Sequence, residues 1–221
     1  MQSAAELLAL GRPRHCARAT PRLFHKVISL ALILASTSPI RRHLLEAAGL
    51  AFAVAAPHVD EDALKHDHRG DGADLALALA RAKAVSIDRA GTWVIGSDST
   101  LIVDGTLFSK PRDRADAARH LAAFSGREMI LSSAVALARD GAVEWSMVDQ
   151  ARLHVRSLSP AFIEDYLAAE WPEVAYCVGV FRMEGRGATL FDTVAGSHFT
   201  ILGLPLLPLL GALRKRGLMA S

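Results

Sequence analysis

Leu32-Ile33-Leu34-Ala35-Ser36-Thr37-Ser38-Pro39-Ile40-Arg41-Arg42 is the stretch on which the fold turns. Its first part, from Leu30 to Ala35, is a short apolar run of the kind that forms a fully buried strand. Three hydroxyl residues follow, then Pro39 at a position where a helix tolerates it, and Gly49 closes the helix expected over Pro39 to Ala48. A strand that turns directly into a helix is the first half of an α/β unit. The turn also collects Ser36, free backbone N–H groups, Arg41 and Arg42 at a helix start, where an anion is favoured by the dipole and by guanidinium forks. A capped helix with solvated arginines has the same local pattern.

Downstream, Ala51 to Ala55 reads as a second strand and His58 to Gly72, rich in His and acids, as a loop. A helix is predicted from Asp74 to about Arg89, before Gly91. Trp93 to Gly96 and Leu101 to Val103 read as two short strands around a polar insert, with a hairpin turn at Asp104-Gly105. Asp113 opens a helix. Met129 to Ala138 and Val143 to Val155 are long strands joined at Asp140-Gly141, and Ser159 caps a helix through Ala169. A last strand over Ala188 to Val194 precedes a closing helix from Leu204 to Arg216. Alternating strands and helices interrupted by hairpins predict an α/β fold, a single domain with a mixed, twisted sheet flanked by helices.

With 221 residues, 51% hydrophobic and 22% charged, the chain can bury a sizeable core. No linker or internal repeat divides it, so residues 27–221 are expected to form one domain after an extension over residues 1–26. That extension carries Arg12, Arg14, Arg18, Arg22 and Lys26 against Glu6, a charge of +4; with +2 overall, the remainder carries −2. A slightly acidic body argues against a nucleic-acid binder. The longest apolar run, Val27 to Ala35, falls short of the roughly 20 residues that span a bilayer, so no membrane segment is expected. Cys16 and Cys177 form no paired motif, consistent with a reducing, cytoplasmic setting rather than a disulfide framework.

Three further segments carry chemistry. Asp98 follows directly on an apolar strand, where α/β sheets commonly hold ligands, and can hold a metal, activate water or simply cap a turn. Lys83 and Lys110 add positive charge on either side of it in sequence. The acidic stretch Val59-Asp60-Glu61-Asp62 offers oxygens suited to a hard cation, with Glu61 the preferred ligand and His58, His66 and His68 left unassigned. Glu184, before a strand, is placed to accept hydrogen bonds from a base edge, or to be an ordinary turn residue.

Taken in order, Leu32 to Arg42, Val59-Asp60-Glu61, the Ala-rich helix with Lys83, Ile95-Gly96-Ser97-Asp98, Lys110-Pro111, Glu184-Gly185 and Gly203-Leu204-Pro205 resemble the Maf family of nucleotide pyrophosphatases. The resemblance covers residues 30–217. It implies an inosine-triphosphatase-like α/β fold, a homodimer, and hydrolysis of a nucleoside triphosphate to monophosphate and pyrophosphate with Mg²⁺ or Mn²⁺. It further implies that Asp98 is catalytic and, with Glu61, a metal ligand, and that Ser36, Arg41, Arg42, Lys83 and Lys110 bind phosphate.

Within the family, Gly-Ser-Asp and Glu184-Gly185-Arg186-Gly187-Ala188-Thr189-Leu190-Phe191 are more similar to the 7-methyl-GTP branch than to the dTTP/UTP branch, which has Gly-Ala-Asp-Thr and a Gln in place of Glu184. A carboxylate suits the donor-rich edge of guanine and the positive charge of a 7-methylated ring. The 7-methyl-GTP branch, however, has Trp where Ile40 stands and Gln where Ser99 stands. Ile40, Ser99 and Glu184 are therefore the expected specificity residues, and loss of the Trp removes a cation–π contact of roughly 0.5–2 kcal/mol. The alternatives are a dTTP/UTP-type enzyme and a nucleotide-binding regulator of cell division without turnover. Neither a P-loop nor a strand-linked GxGxxG motif is present.

Overall fold

The structure is a computed structural model that describes residues 32–220. The amino-terminal extension, with Cys16 and the start of the expected first strand, lies outside the described residues. The elements run β1 (Leu32–Ala35), α1 (Pro39–Ala47), β2 (Ala53–Ala55), α2 (Glu61–Asp67), α3 (Gly72–Val85), β3 (Trp93–Val103), β4 (Thr106–Phe108), α4 (Arg114–Phe124), β5 (Glu128–Arg139), β6 (Ala142–Val155), α5 (Pro160–Glu170), β7 (Phe191–Ala195), α6 (His198–Ile201) and α7 (Leu206–Lys215). One mixed sheet runs in the order β2-β1-β3-β5-β6-β7, with β4 beside β3. β1 is parallel to both β2 and β3, whereas β3, β5, β6 and β7 pair antiparallel.

Residue alternation along β3 and β5 assigns the two faces. Ile95, Val135 and Leu137 join Leu32 and Leu34 beneath Leu44 and Leu45 of α1 and the leucines of α7. On the opposite face Ala134, Ala136 and Ala138 meet Ala76, Ala80 and Ala84 of α3. Small side chains on both sides bring α3 close to the sheet. Gly96 completes that fit: a Cβ there would lie 2.2 Å from the Ala80 carbonyl oxygen and 2.4 Å from the Ala84 nitrogen. A third apolar cluster packs α4 and α5 against Leu101, Met129, Leu131 and Leu153 at the other end of the sheet.

Two expectations are corrected. The residues read as a loop from His58 to Gly72 contain α2. Asp60 caps it by accepting from the Ala63 N–H at 3.0 Å, Glu61 and Asp62 occupy its first turn, and Lys65 and His66 its last, an arrangement that complements the helix dipole. A polar composition masked a helix held by its ends. The two short strands predicted around residues 97–100 are one continuous strand, β3, because β5 pairs with it along its whole length from Trp93 to Val103. Smaller shifts follow cap chemistry: α3 starts at Gly72 because Asp71 accepts from Asp74 N, and Arg186–Leu190 form a 3₁₀ turn before β7. The short helix α6 was not anticipated.

Candidate functional site

The continuity of β3 creates the site. β1 pairs with residues 93–96 along one edge of β3 and β4 pairs with 101–103 along the same edge, leaving Ser97 to Thr100 without a strand neighbour there. A cleft of about 620 Å³ opens at that gap, at the carboxyl end of β1, where its neighbours β2 and β3 part. Its lining includes Ser36 to Arg41, Glu61, Lys65, Lys83, Asp98 to Thr100, Lys110, the 176–179 and 181–184 stretches, and Gly203.

At its base Lys83 reaches from the last turn of α3 into the sheet. Because Gly96 lets α3 sit on β3, the Lys83 Nζ comes 2.5 Å from Asp98 Oδ1, two residues along the strand, and 2.8 Å from Glu61 Oε1. The Lys83 side chain is only 8% exposed and that of Asp98 11%. A buried ammonium is tolerated because both carboxylates face it. Burial pushes the Glu61 pKa up, but the hydrogen bond and charge of Lys83, with Lys65 and Lys110, outweigh it and hold the carboxyl below its ordinary value. Glu61 is therefore ionised at neutral pH.

Arg41 enters from the first turns of α1 and is pinned. Its Nε donates to the Gly203 carbonyl at 2.8 Å, Nη1 to the Ser97 carbonyl at 3.1 Å and Nη2 to Ser99 Oγ at 3.0 Å. Three of its five N–H donors are used, leaving one on each terminal nitrogen. Desolvation lowers its pKa from the usual value, opposed by Asp98 and Glu61, and a guanidinium so placed stays charged. Ser36 is buried, and its Oγ accepts from Ser38 N at 3.2 Å. Ser38 itself is the N-cap of α1, so the hydroxyl cluster both caps the helix and lines the cleft.

The structure thus gathers Ser36, Ile40, Arg41, Glu61, Lys83, Asp98, Ser99, Lys110 and Glu184 around one cleft. It does not bring Arg42 there. Arg42 points to the outer side of α1, 61% exposed, and its Nε donates to Glu46 Oε1 at 2.7 Å. Ser99, in the cleft wall, is hydrogen-bonded to Arg41 and Ser133, and Glu184 stands exposed at the cleft.

Residues that local sequence did not single out also line it. Lys65 lies 3.6 Å from Glu61, one turn along α2. Arg182, two residues before Glu184, pairs at 3.0 Å with the buried Glu170, whose position at the end of α5 no sequence pattern near Arg182 announces. Cys177 lines the cleft, but burial, reinforced by Glu184, pushes its thiol up to about 11. It is no nucleophile at neutral pH.

Among the described residues no group of three or more His, Cys, Asp or Glu comes together as a metal site. Two carboxylates, Asp98 and Glu61, do converge on Lys83. That is a donor set for a cation such as Mg²⁺, which takes one or two protein carboxylates and fills its remaining positions with water and phosphate oxygens. It is not a self-sufficient zinc site.

Fold and cleft together define an α/β protein with a crevice at the switch point of a mixed sheet, lined by both carboxylates and cations. The Maf-like protein family matches residues 31–216, and the chain belongs to it. A nucleoside triphosphate pyrophosphatase of Sphingopyxis alaskensis is 47% identical over 86% of this chain and 98% of its own. A 7-methyl-GTP pyrophosphatase of Rhizobium meliloti is 47% identical over 84% and 96%, respectively. A solved dITP/XTP pyrophosphatase of Mycobacterium abscessus is a distant likeness, 22% identical with a TM-score of 0.35 over 56% of this chain and 72% of that one.

Proposed function

We propose that this chain hydrolyses a nucleoside triphosphate to the monophosphate and pyrophosphate, with a 7-methyl-GTP-like nucleotide as its substrate, and so clears modified nucleotides from the pool. The observation that carries this reading is the Asp98–Lys83–Glu61 cluster in the wall of a cleft that also holds Arg41 and Lys110. Asp98 is the general base. Its Oδ1 is fixed by Lys83, which leaves Oδ2 to take a proton from the attacking water. Lys83 orients both carboxylates, while Arg41 and Lys110 balance the charge that grows on the departing pyrophosphate. Ser36 adds a hydroxyl donor. Glu61, with Asp98 beside it, would hold Mg²⁺ or Mn²⁺, which would supply charge neutralisation when bound.

The modified purine is favoured by Glu184, an exposed carboxylate at the cleft that can accept from a guanine edge and face a cationic ring, and by relatives named for 7-methyl-GTP. Ile40 adds an apolar wall. Homodimerisation and a cytoplasmic setting belong to the same proposal; no described helix is long and apolar enough to cross a membrane.

Purified chain with Mg²⁺ or Mn²⁺ is expected to release pyrophosphate from 7-methyl-GTP faster than from GTP, UTP, dTTP or CTP. Asp98→Asn should lower turnover by about 100-fold or more, the usual scale for a positioned base. Release from none of the five by folded protein would overturn the reading.

A further inference from the structure

A strip of polar side chains crosses the otherwise apolar face of the sheet, between the α1/α7 leucines and the α4/α5 cluster. It consists of Ser97 and Ser99 on β3, Ser133 on β5 and Thr200 on α6, and Ser97, Ser133 and Thr200 are each 0% exposed. Buried hydroxyls in a packed core need protein partners, and these have them. Ser99 Oγ lies 2.9 Å from Ser133 Oγ, Ser133 Oγ donates to the Thr200 carbonyl at 2.8 Å, and Thr200 Oγ1 donates to Asp149 Oδ2 at 2.5 Å.

Proton counting gives the strip a direction. A serine hydroxyl has one proton and two lone pairs. The Ser133 proton is committed to the Thr200 carbonyl, so the hydrogen bond between the two serines must use the Ser99 proton. Ser99 Oγ then faces Arg41 as an acceptor, as the 3.0 Å contact from Arg41 Nη2 requires. No proton of Ser99 is left to offer a nucleobase.

Gly203 closes the other side. Its carbonyl accepts from Arg41 Nε at 2.8 Å and lies 3.2 Å from Ser97 Oγ. Its φ of +90° suits glycine, and a Cβ there would stand 3.3 Å from Ser99 Oγ and 3.5 Å from Arg41 Nη2.

We infer that Ser99, Ser133 and Thr200, anchored on Asp149, are a positioning relay that holds the Arg41 guanidinium at a fixed setting for phosphate, and that Ser99 acts through Arg41 rather than by reading the base. The inference deepens the proposed function, since it takes the anion at Arg41 to be the phosphate chain of the substrate. It assigns a role to Ser133, which reaches the site through Ser99, and to the Thr200 carbonyl that takes its proton, the Thr200 side chain being held separately by Asp149. The direction of the relay also predicts that phosphate affinity and base preference respond to different residues.

Inorganic tripolyphosphate, which has no base, isolates the phosphate side. Its binding to the full chain is measured by calorimetry for the wild type, Ser99→Ala, Ser133→Ala, Arg41→Ala and the two doubles with Arg41→Ala. Each serine variant should weaken binding about tenfold, the scale of a hydrogen bond to a charged group, and neither should weaken it further once Arg41 is gone. The ratio of turnover between 7-methyl-GTP and GTP should stay within about twofold of wild type in both serine variants, well below the effect expected for a base contact. Equal losses with and without Arg41, a shifted base ratio in Ser99→Ala, or no tripolyphosphate binding by the wild type would each overturn the relay. Triphosphate turnover by the wild type is scored separately, so failure of the enzyme reading is distinguishable. If Ser133→Ala does not fold, Ser99→Ala on the half-buried strand edge carries the test. If Arg41→Ala binds too weakly to measure, the mobility of the Arg41 Nε–H by NMR decides: it should rise in the serine variant, and an unchanged signal refutes the coupling.

Discussion

Arg41 and Arg42 are neighbours with identical side chains, and they have opposite fates. Successive residues on a helix point about 100° apart, so when Leu44 and Leu45 turn α1 onto the sheet, Arg41 faces the cleft and Arg42 faces solvent beside Glu46. The exposed pair, spaced i to i+4, contributes a few tenths of a kcal/mol at most. Arg42→Ala should therefore leave kcat/KM within about threefold of wild type. Arg41→Ala removes three partly buried hydrogen bonds and the charge at the cleft, and should lower kcat/KM by about 100-fold or more. Initial rates on the preferred triphosphate separate the two; comparable losses would show that Arg42 swings into the site. The double Arg motif was legible in the sequence as a candidate anion site. Which arginine lines the cleft was not, because that depends on which face of α1 the core claims.

Secondary-structure elements carry the constraints that bring Lys83 to Asp98. α3 is an alanine-rich helix that would be unremarkable alone, and its value is proximity: Ala76, Ala80 and Ala84 let its backbone approach β3 at Gly96. Gly96→Ala would drive a methyl group into the Ala80 carbonyl and the Ala84 amide, backbone atoms that cannot step aside. Overpacking of this kind costs about 1–3 kcal/mol, and here it would also push Lys83 away from Asp98. Loss of both thermal stability and turnover is expected, with the rate falling further than the loss of folded fraction accounts for; unaltered rates in a stable variant would separate the helix from the chemistry. Elements bounded by cap or turn chemistry were legible: Ser159 before α5, Asp113 before α4, Asp140-Gly141 between β5 and β6. α2 was hidden because five of its seven residues are charged or His and its ends rest on Asp60 and on end charges. β3 looked broken because residues 97–100 are polar: Asp98, Ser99 and Thr100 line the cleft, and Ser97 donates to the Ala134 carbonyl inside the core.

At the scale of the molecule, the site exists because β1 and β4 stop short of each other along one edge of β3. Open strand edges are usually covered, and here Arg41 covers the Ser97 carbonyl. A triphosphate with Mg²⁺ would bridge α1, α2, α3 and β3, so binding should stabilise the whole fold. At a free concentration 100 times its Kd it should add about 2.7 kcal/mol, which for a chain of this size is about 5–11 °C in Tm. Thermal unfolding with and without a chelator checks this, and a nucleotide shift that ignores removal of the divalent cation would argue against Asp98 and Glu61 as its ligands.

By itself the sequence determined the local rules: apolar runs that must be buried, caps and glycines that stop helices, and an ordered set of acids and bases whose resemblance pointed to a family. These are properties of residues and their near neighbours. Only the tertiary structure decided which of those residues share a cleft. Parallel pairing at β1, antiparallel pairing along β5 and the close approach of α3 join positions far apart in the chain, such as Lys83 to Asp98 and Arg41 to Gly203. No local pattern encodes such pairs, because they arise when the whole sheet assembles and its faces and edges find their cover.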